Sequence, residues 1–145
     1  MALTGTYSRN LDEKKRLAVP KKLCEEFGEG DLGHLYVAPG MDKSLSLYSQ
    51  AGFARLAEKI ADHTSNRADV RNYVRLFYSR AEKVELDSQG RIRIPDRLSE
   101  LAGLSRDVVL LGVHDHVEIW DAAAWNAFLE QQSAGFDDMA TRMFE

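Results

Sequence analysis

Residues 11–23 read LDEKKRLAVPKKL and residues 86–98 read LDSQGRIRIPDRL. At a spacing of 75, Leu11, Asp12, Arg16, Pro20 and Leu23 recur as Leu86, Asp87, Arg91, Pro95 and Leu98. Leu17 and Val19 recur in kind as Ile92 and Ile94. A second echo follows in the same order: LSLYSQAGF (45–53) against VEIWDAAAW (117–125), which sets Tyr48 against Trp120 and Phe53 against Trp125. Two matches in one order identify a duplication, and self-similarity at this scale constrains the fold more than any single residue. A unit this short can barely bury its own sheet, so two copies in one chain predict a pseudo-twofold unit.

The local grammar is shared. Leu17 and Val19, like Ile92 and Ile94, alternate with Ala18 and Arg93, the period of a half-buried strand. Proline follows at once, suited to the first turn of a helix. The spacing predicts short helices over 20–27 and 95–102, each stopped by a glycine, Gly28 or Gly103. A hairpin comes next in each copy, turning around 39–42 in the first and through His114, Asp115 and His116 in the second. Ser49 and Asp121 are placed to cap the helices that follow. Between the copies, Val70, Tyr73, Val74 and Phe77 make an apolar helical stripe, read as core or subunit contact. The divisions expected are repeat 1 over 5–50, a helical linker over 51–80, repeat 2 over 81–124, and a C-terminal helix with an acidic tail over 125–145.

A chain of 145 residues with 44% hydrophobic residues can hold a core without staples. The one cysteine, Cys24, excludes an internal disulfide framework and reads as a packed small side chain in a reducing compartment. The longest apolar run, 108–113, is too short to cross a bilayer, and no signal peptide is visible at the N-terminus. A cytoplasmic protein with no membrane partner is expected.

The net charge of −4 conceals a division. Residues 1–97 carry 17 Lys and Arg against 14 Asp and Glu (net +3), whereas 98–145 carry 2 against 9 (net −7). Lys14, Lys15 and Arg16 lie inside the densest basic stretch. Such a cluster can be a solvated face or a partner's footprint.

The core of the repeat is Asp-x-x-x-Arg on a strand–turn–strand, Asp12 to Arg16 and Asp87 to Arg91. In the second copy Gly90 can supply the positive φ of a tight turn. A carboxylate facing a guanidinium can pair with it bidentately and so aim it. Two readings stay open: the pair staples the turn, or it presents arginine to phosphates and base edges.

LDEKKRLAVP and LDSQGRIRIP, together with the N-terminal GTYSRNLDEKKR, the helical RLFYSRA and the closing VEIWDAAAWNAFL, resemble the MraZ family of bacterial transcriptional regulators, relatives of AbrB-like swapped-hairpin DNA-binding domains. The resemblance implies an α+β fold of two tandem strand–helix–hairpin repeats, joined as a pseudo-twofold swapped-hairpin β-barrel with flanking helices. It also implies self-assembly into a homo-oligomeric ring in association with the nucleoid. The ring would bind double-stranded DNA at short direct repeats in the promoter of the division and cell-wall gene cluster, the protein's own promoter included. DNA-contacting residues expected on this basis are Asp12, Lys14, Lys15, Arg16, Asp87, Arg91 and Arg93. The family usually has glycine before the first arginine, where this chain has Lys15. A lysine at positive φ costs about 1 kcal/mol, which leaves two readings, a turn of different shape or a lysine whose charge helps hold phosphates.

An enzyme finds little support. There is no G-x-S-x-G, no Gly-rich phosphate loop and no Cys-x-x-Cys. His114 and His116 could share a strand face as a metal pair, but without a third nearby ligand they read as a hairpin tip. His34 and His63 have no partner identifiable in the sequence, and no metal or cofactor is expected. The rival to DNA binding is a protein-interaction module such as an antitoxin; the acidic segment around Phe136, Met139 and Met143 reads as a docking element for it or as a frayed helix.

Overall fold

The computed structural model describes residues 2–30, 32–63 and 66–145. Residues 64 and 65, within the expected linker, lie outside that set. Each repeat forms two strands, a short helix and two strands, and a longer helix follows it. The first contains β1 (Thr6–Asn10), β2 (Arg16–Ala18), α1 (Lys21–Phe27), β3 (His34–Pro39) and β4 (Leu45–Tyr48), with α2 (Gln50–Asp62) after it. After α3 (Ala68–Arg80), the second contains β5 (Glu82–Glu85), β6 (Arg91–Arg93), α4 (Asp96–Leu101), β7 (Asp107–Val113) and β8 (His116–Asp121), with α5 (Ala122–Gln132) after it. A 3-10 turn at Ser133–Gly135 leads into α6 (Phe136–Met143). Among the described residues, no helix is long and apolar enough to cross a membrane.

The predicted boundaries are displaced by one residue at the prolines. Pro20 and Pro95 sit at the N-cap, in extended conformation, and the helices begin one residue later. Gly28 and Gly103 stop them in left-handed conformation, with φ of 70° and 60°. Ser49 caps α2, accepting a bond from Gly52 N at 3.1 Å. Asp121 holds the N-cap position of α5, but its carboxylate accepts from Ser105 N at 3.0 Å and Ser105 Oγ at 2.6 Å.

The strands form a six-stranded antiparallel sheet in the order β1-β7-β8-β4-β3-β5, and a separate ribbon of β2 with β6. The expected closed barrel is therefore corrected. β1 and β5 are free edges, because each chain reversal at Asp12–Arg16 or Asp87–Arg91 turns the next strand out of the sheet and into the ribbon. Pairing crosses between the copies: β1 lies along β7 (Ser8 opposite Val109) and β5 along β3 (Leu35 opposite Val84). The ribbon is the centre of the pseudo-symmetry, with Leu17 opposite Ile92.

Alternation in the ribbon decides what it buries. Leu17 and Ile92 are at most 1% exposed and join Val19, Ile94, Leu23 and Leu98 in the main core with one face of the large sheet. The other sheet face carries Val109, Leu111 and Trp120, covered by Ala122 and Trp125 of α5. At the repeat 1 end, Phe53 of α2 stacks on Tyr36 of β3 at 4.4 Å between ring centres, and Phe77 of α3 lies against Phe53 at 6.4 Å. Of the predicted α3 stripe only Phe77 is buried. Val70 and Val74 are half-buried and Tyr73 is 55% exposed.

Candidate functional site

The two Asp-x-x-x-Arg turns have the same hydrogen bonds. In the first, Asp12 N donates to Arg16 O at 3.1 Å and Lys15 N to Asp12 O at 3.0 Å. In the second, Asp87 N donates to Arg91 O at 2.9 Å and Gly90 N to Asp87 O at 3.0 Å. The carboxylates repeat the match. Asp12 Oδ1 accepts from Lys14 N (2.9 Å) and Arg16 N (2.8 Å), and Asp87 Oδ1 accepts from Gln89 N and Arg91 N (both 2.9 Å). Each aspartate is thus an Asx-type nucleus for its turn.

With Oδ1 committed to backbone, only Oδ2 faces the arginine. Arg16 Nε donates to Asp12 Oδ2 at 2.6 Å and Arg91 Nε to Asp87 Oδ2 at 2.8 Å. The pairing is therefore through Nε alone, not the expected bidentate fork. That contact fixes each guanidinium by its inner edge. Arg91 Nη1 comes within 4.0 Å of Asp12 Oδ2, which links the motifs of the two repeats. Both carboxyls are held below the usual range, first by the backbone N–H of the following arginine and then by its side chain.

No change of shape occurs at Lys15. Lys15 adopts φ 61° where Gly90 adopts 74°, so the lysine accepts the left-handed conformation that glycine takes without strain. Three features hold it there: the bond to Asp12 O, the bond that Lys15 O accepts from Ile94 N at 2.9 Å, and the reach of Lys15 Nζ to Ser99 Oγ at 3.3 Å. On the other side of the pseudo-axis, Gly90 O accepts from Val19 N at 3.0 Å. Each turn is thereby tied to the other repeat's strand.

The ribbon brings the expected residues together. Because Leu17 and Ile92 point inward, Arg16, Ala18, Arg91 and Arg93 share the outward face, with Arg16 opposite Arg93 and Ala18 opposite Arg91. Lys14 and Lys15 flank it on the first turn. Asp12 and Asp87 lie at its two ends, each bonded to its own turn and arginine. The arginine side chains of the motifs are 36% and 27% exposed, held but reachable. Beside the first turn is an open groove of about 640 Å³ lined by Asn10, Leu11, Asp12, Lys15, Ser105 and Arg106. Arg106 was not legible as a neighbour of the motif. Only the bond from Leu11 N to Arg106 O at 2.8 Å, beside the β1–β7 pairing, brings it there.

The histidines of the second hairpin differ in placement. His114 is in the turn with φ 65°, while His116 opens β8 and stacks on Tyr48 at 5.3 Å. His116 Nδ1 lies 2.8 Å from Asp115 Oδ1 and its Nε2 lies 3.4 Å from Glu118 Oε2. Glu118 Oε1 accepts from Trp120 Nε1 at 2.9 Å. Glu118 and Asp115 raise the affinity of the imidazole for its proton. Sequence reading missed Glu118 and Trp120, although the alternation of 116, 118 and 120 on one strand carries the signal.

The family described as "MraZ protein, putative antitoxin-like" matches residues 2–76 and again 77–145. The chain is 38% identical over 134 residues to the protein named Transcriptional regulator MraZ of Micrococcus luteus, covering 92% of this chain and 91% of that one. It is 37% identical over 142 residues to the protein of the same name from Syntrophomonas wolfei, covering 97% and 96%. A third, from Alkaliphilus oremlandii, is 37% identical over 141 residues. The twofold match to one family, at the spacing of the twin turns, places this chain in the MraZ family.

Proposed function

We propose that this protein is a sequence-specific DNA-binding transcriptional regulator whose contact surface is the outward face of the β2–β6 ribbon. One observation carries the reading: three arginines share that face, and aspartates orient two of them. A two-stranded ribbon fits the major groove, and arginine's terminal nitrogens match guanine edges and phosphates alike. Arg16, Arg91 and Arg93 are the base and phosphate contacts in this account. Lys14 and Lys15 are phosphate contacts, and Asp12 and Asp87 are positioning residues. The names of the relatives support the regulatory role, and the crosswise pairing of β1 with β7 and β5 with β3 supports a swapped-hairpin origin for the fold. We read residues 5–50 and 81–124 as the two repeats, 51–80 as the linker and 125–145 as the C-terminal unit.

The modest charge sets the mechanism. Those five cations per subunit are too few for tight binding at physiological salt. A ring of subunits multiplies them and raises the effective concentration of each linked contact. The targets we propose are short direct repeats in the promoter of the division and cell-wall cluster, its own promoter among them, met in the cytoplasm at the nucleoid. The test is fluorescence anisotropy on promoter DNA bearing one, two and three repeats. Affinity should climb steeply with repeat number, and equal affinity for all three contradicts the mechanism. The antitoxin-like description of the family favours a second reading, a protein-docking module. A toxin gene beside this one, in place of cell-wall genes, supports that alternative.

A further inference from the structure

Arg106 is outside both Asp-x-x-x-Arg motifs, yet the fold holds it beside the first of them. It is one of only two cations in the acidic stretch 98–145, the other being Arg142. Its loop is fixed at four points. Leu104 N donates to Ser99 O at 2.9 Å, and Ser105 N and Oγ donate to Asp121 Oδ1 at 3.0 and 2.6 Å. Arg106 O accepts from Leu11 N at 2.8 Å. Lys15 Nζ reaches Oγ of the same Ser99, so Lys15 and the Arg106 loop share an anchor. The Arg106 guanidinium, by contrast, has no ion pair and no hydrogen bond among the described residues. A firmly tied loop thus brings an unpaired cation to the wall of the groove beside the first turn.

The acids around that groove are mostly committed. Asp12 is bonded to its turn and to Arg16. In the orientation that satisfies both of its amide atoms, Asn10 donates to Asp107 Oδ1 at 2.7 Å. Glu13 alone on the groove wall is an acid with no partner among the described residues, and Lys15 and Arg106 stand against it. The second turn differs in this respect. There Leu86 N donates to Gly33 O at 3.0 Å, so Gly33 holds the place of Arg106, as His34 opposite Glu85 holds that of Asp107 opposite Asn10. Ser88, Gln89 and Gly90 stand where the first turn has Glu13, Lys14 and Lys15. The cavity beside Gly33, about 150 Å³, is lined by Glu29 and by no Lys or Arg among the described residues. The pseudo-twofold is therefore broken in charge where it is kept in backbone.

We infer that the groove beside the first turn seats a phosphate of the DNA backbone, with Arg106 and Lys15 as its contacts. A ribbon lying in a major groove has a phosphate backbone along each wall, and contacts to phosphate set its register without reading sequence. Each subunit then holds the backbone at its repeat 1 end and not at its repeat 2 end. The inference rests on the DNA reading above and adds to it a contact outside the ribbon.

The test is fluorescence anisotropy of full-length Arg106→Ala on labelled promoter DNA bearing two repeats and on a scrambled duplex of the same length, across a range of salt. Mass is checked by light scattering and folding by circular dichroism. One lost phosphate contact forfeits the release of about 0.9 counterion, so at about 0.15 M salt affinity should fall about five- to sixfold per subunit engaged. On two repeats that is about thirtyfold, with the slope of log affinity against log salt shallower by about 1.8. The scrambled duplex should lose as much, and Arg106→Lys should regain most of the loss. Unchanged affinity and slope in Arg106→Ala would overturn the phosphate seat and leave the ribbon reading intact. A loss confined to the promoter DNA would also overturn it, by making Arg106 a base contact. A wild-type protein that binds neither duplex would refute the ribbon reading and this inference together. Inorganic phosphate should displace the duplex no better than chloride at equal ionic strength, and selective displacement would assign the groove to a free anion instead. Should Arg106→Ala lose its fold or mass, Glu13→Gln carries the test: removing the unpaired acid should raise affinity several-fold on both duplexes, and unchanged affinity would overturn the seat.

Discussion

Replacing Gly90 with alanine isolates the backbone demand of the arginine turns. Gly90 sits at φ 74°, and a Cβ built there meets nothing within 4 Å, so no clash contributes to the cost. What remains is left-handed strain of about 1–2 kcal/mol, partly offset by about 0.4–1 kcal/mol from the smaller entropy of the unfolded chain. The net is a destabilisation of about 1 kcal/mol, or a fall in Tm of about 2–4 °C for a chain this size. Lys15→Gly is the mirror experiment. It removes the strain at φ 61° but also the 3.3 Å bond from Lys15 Nζ to Ser99 Oγ, so a rise of less than about 1 kcal/mol is expected. Thermal melts followed by circular dichroism measure both. An unchanged Tm for Gly90→Ala, or a fall of several degrees for Lys15→Gly, would refute the view that the two turns share one strained geometry.

Gly112 answers to a different constraint. A Cβ there would lie 2.3 Å from Thr4 N and 2.6 Å from Leu3 C, where the N-terminal segment crosses β7. Gly112→Ala should cost about 1–3 kcal/mol or more through overpacking, seen as a lower denaturant midpoint, and a wild-type midpoint would show that the crossing yields. The His116 cluster predicts a pH dependence. The imidazole's pKa is raised above 6.5 in the folded state, so its contribution is complete below about pH 6.5 and is lost as pH rises through the folded value. Glu118, lowered chiefly by His116, contributes above its unfolded value of 4.5 and loses that contribution as pH falls through its folded value. Tm should therefore decline on the alkaline side in the wild type and decline less in His116→Gln. Parallel curves would remove His116 from the account.

Much of this fold was legible because the duplication repeats its punctuation. Pro20 and Pro95, Gly28 and Gly103, and the alternation around Leu17 and Ile92 are local signals, and each marks an element that forms. The sheet order was not legible. Whether β1 pairs within its own repeat or along β7 depends on how Leu17 and Ile92 meet across the pseudo-axis, a contact between residues 75 apart in sequence. The twin aspartates and arginines were found from spacing, but the manner of pairing was not. The amides of Lys14 and Arg16 claim Asp12 Oδ1, and that competition appears only when the turn is built. The stripe of α3, read as core or subunit contact, buries only Phe77 in its own chain, since helical periodicity identifies an apolar face without saying what covers it.

The proposed grip on DNA is the pair of Asp-aimed arginines on the β2–β6 ribbon. Fluorescence anisotropy of Arg16→Ala and of Arg91→Ala on promoter DNA, with assembly mass checked by light scattering, tests it most directly. Each variant should keep the wild-type mass and lose tight binding, because each removes an aimed guanidinium from every subunit of the assembly. Wild-type affinity in both, at unchanged mass, would contradict it and leave the Asp–Arg pairs as turn staples.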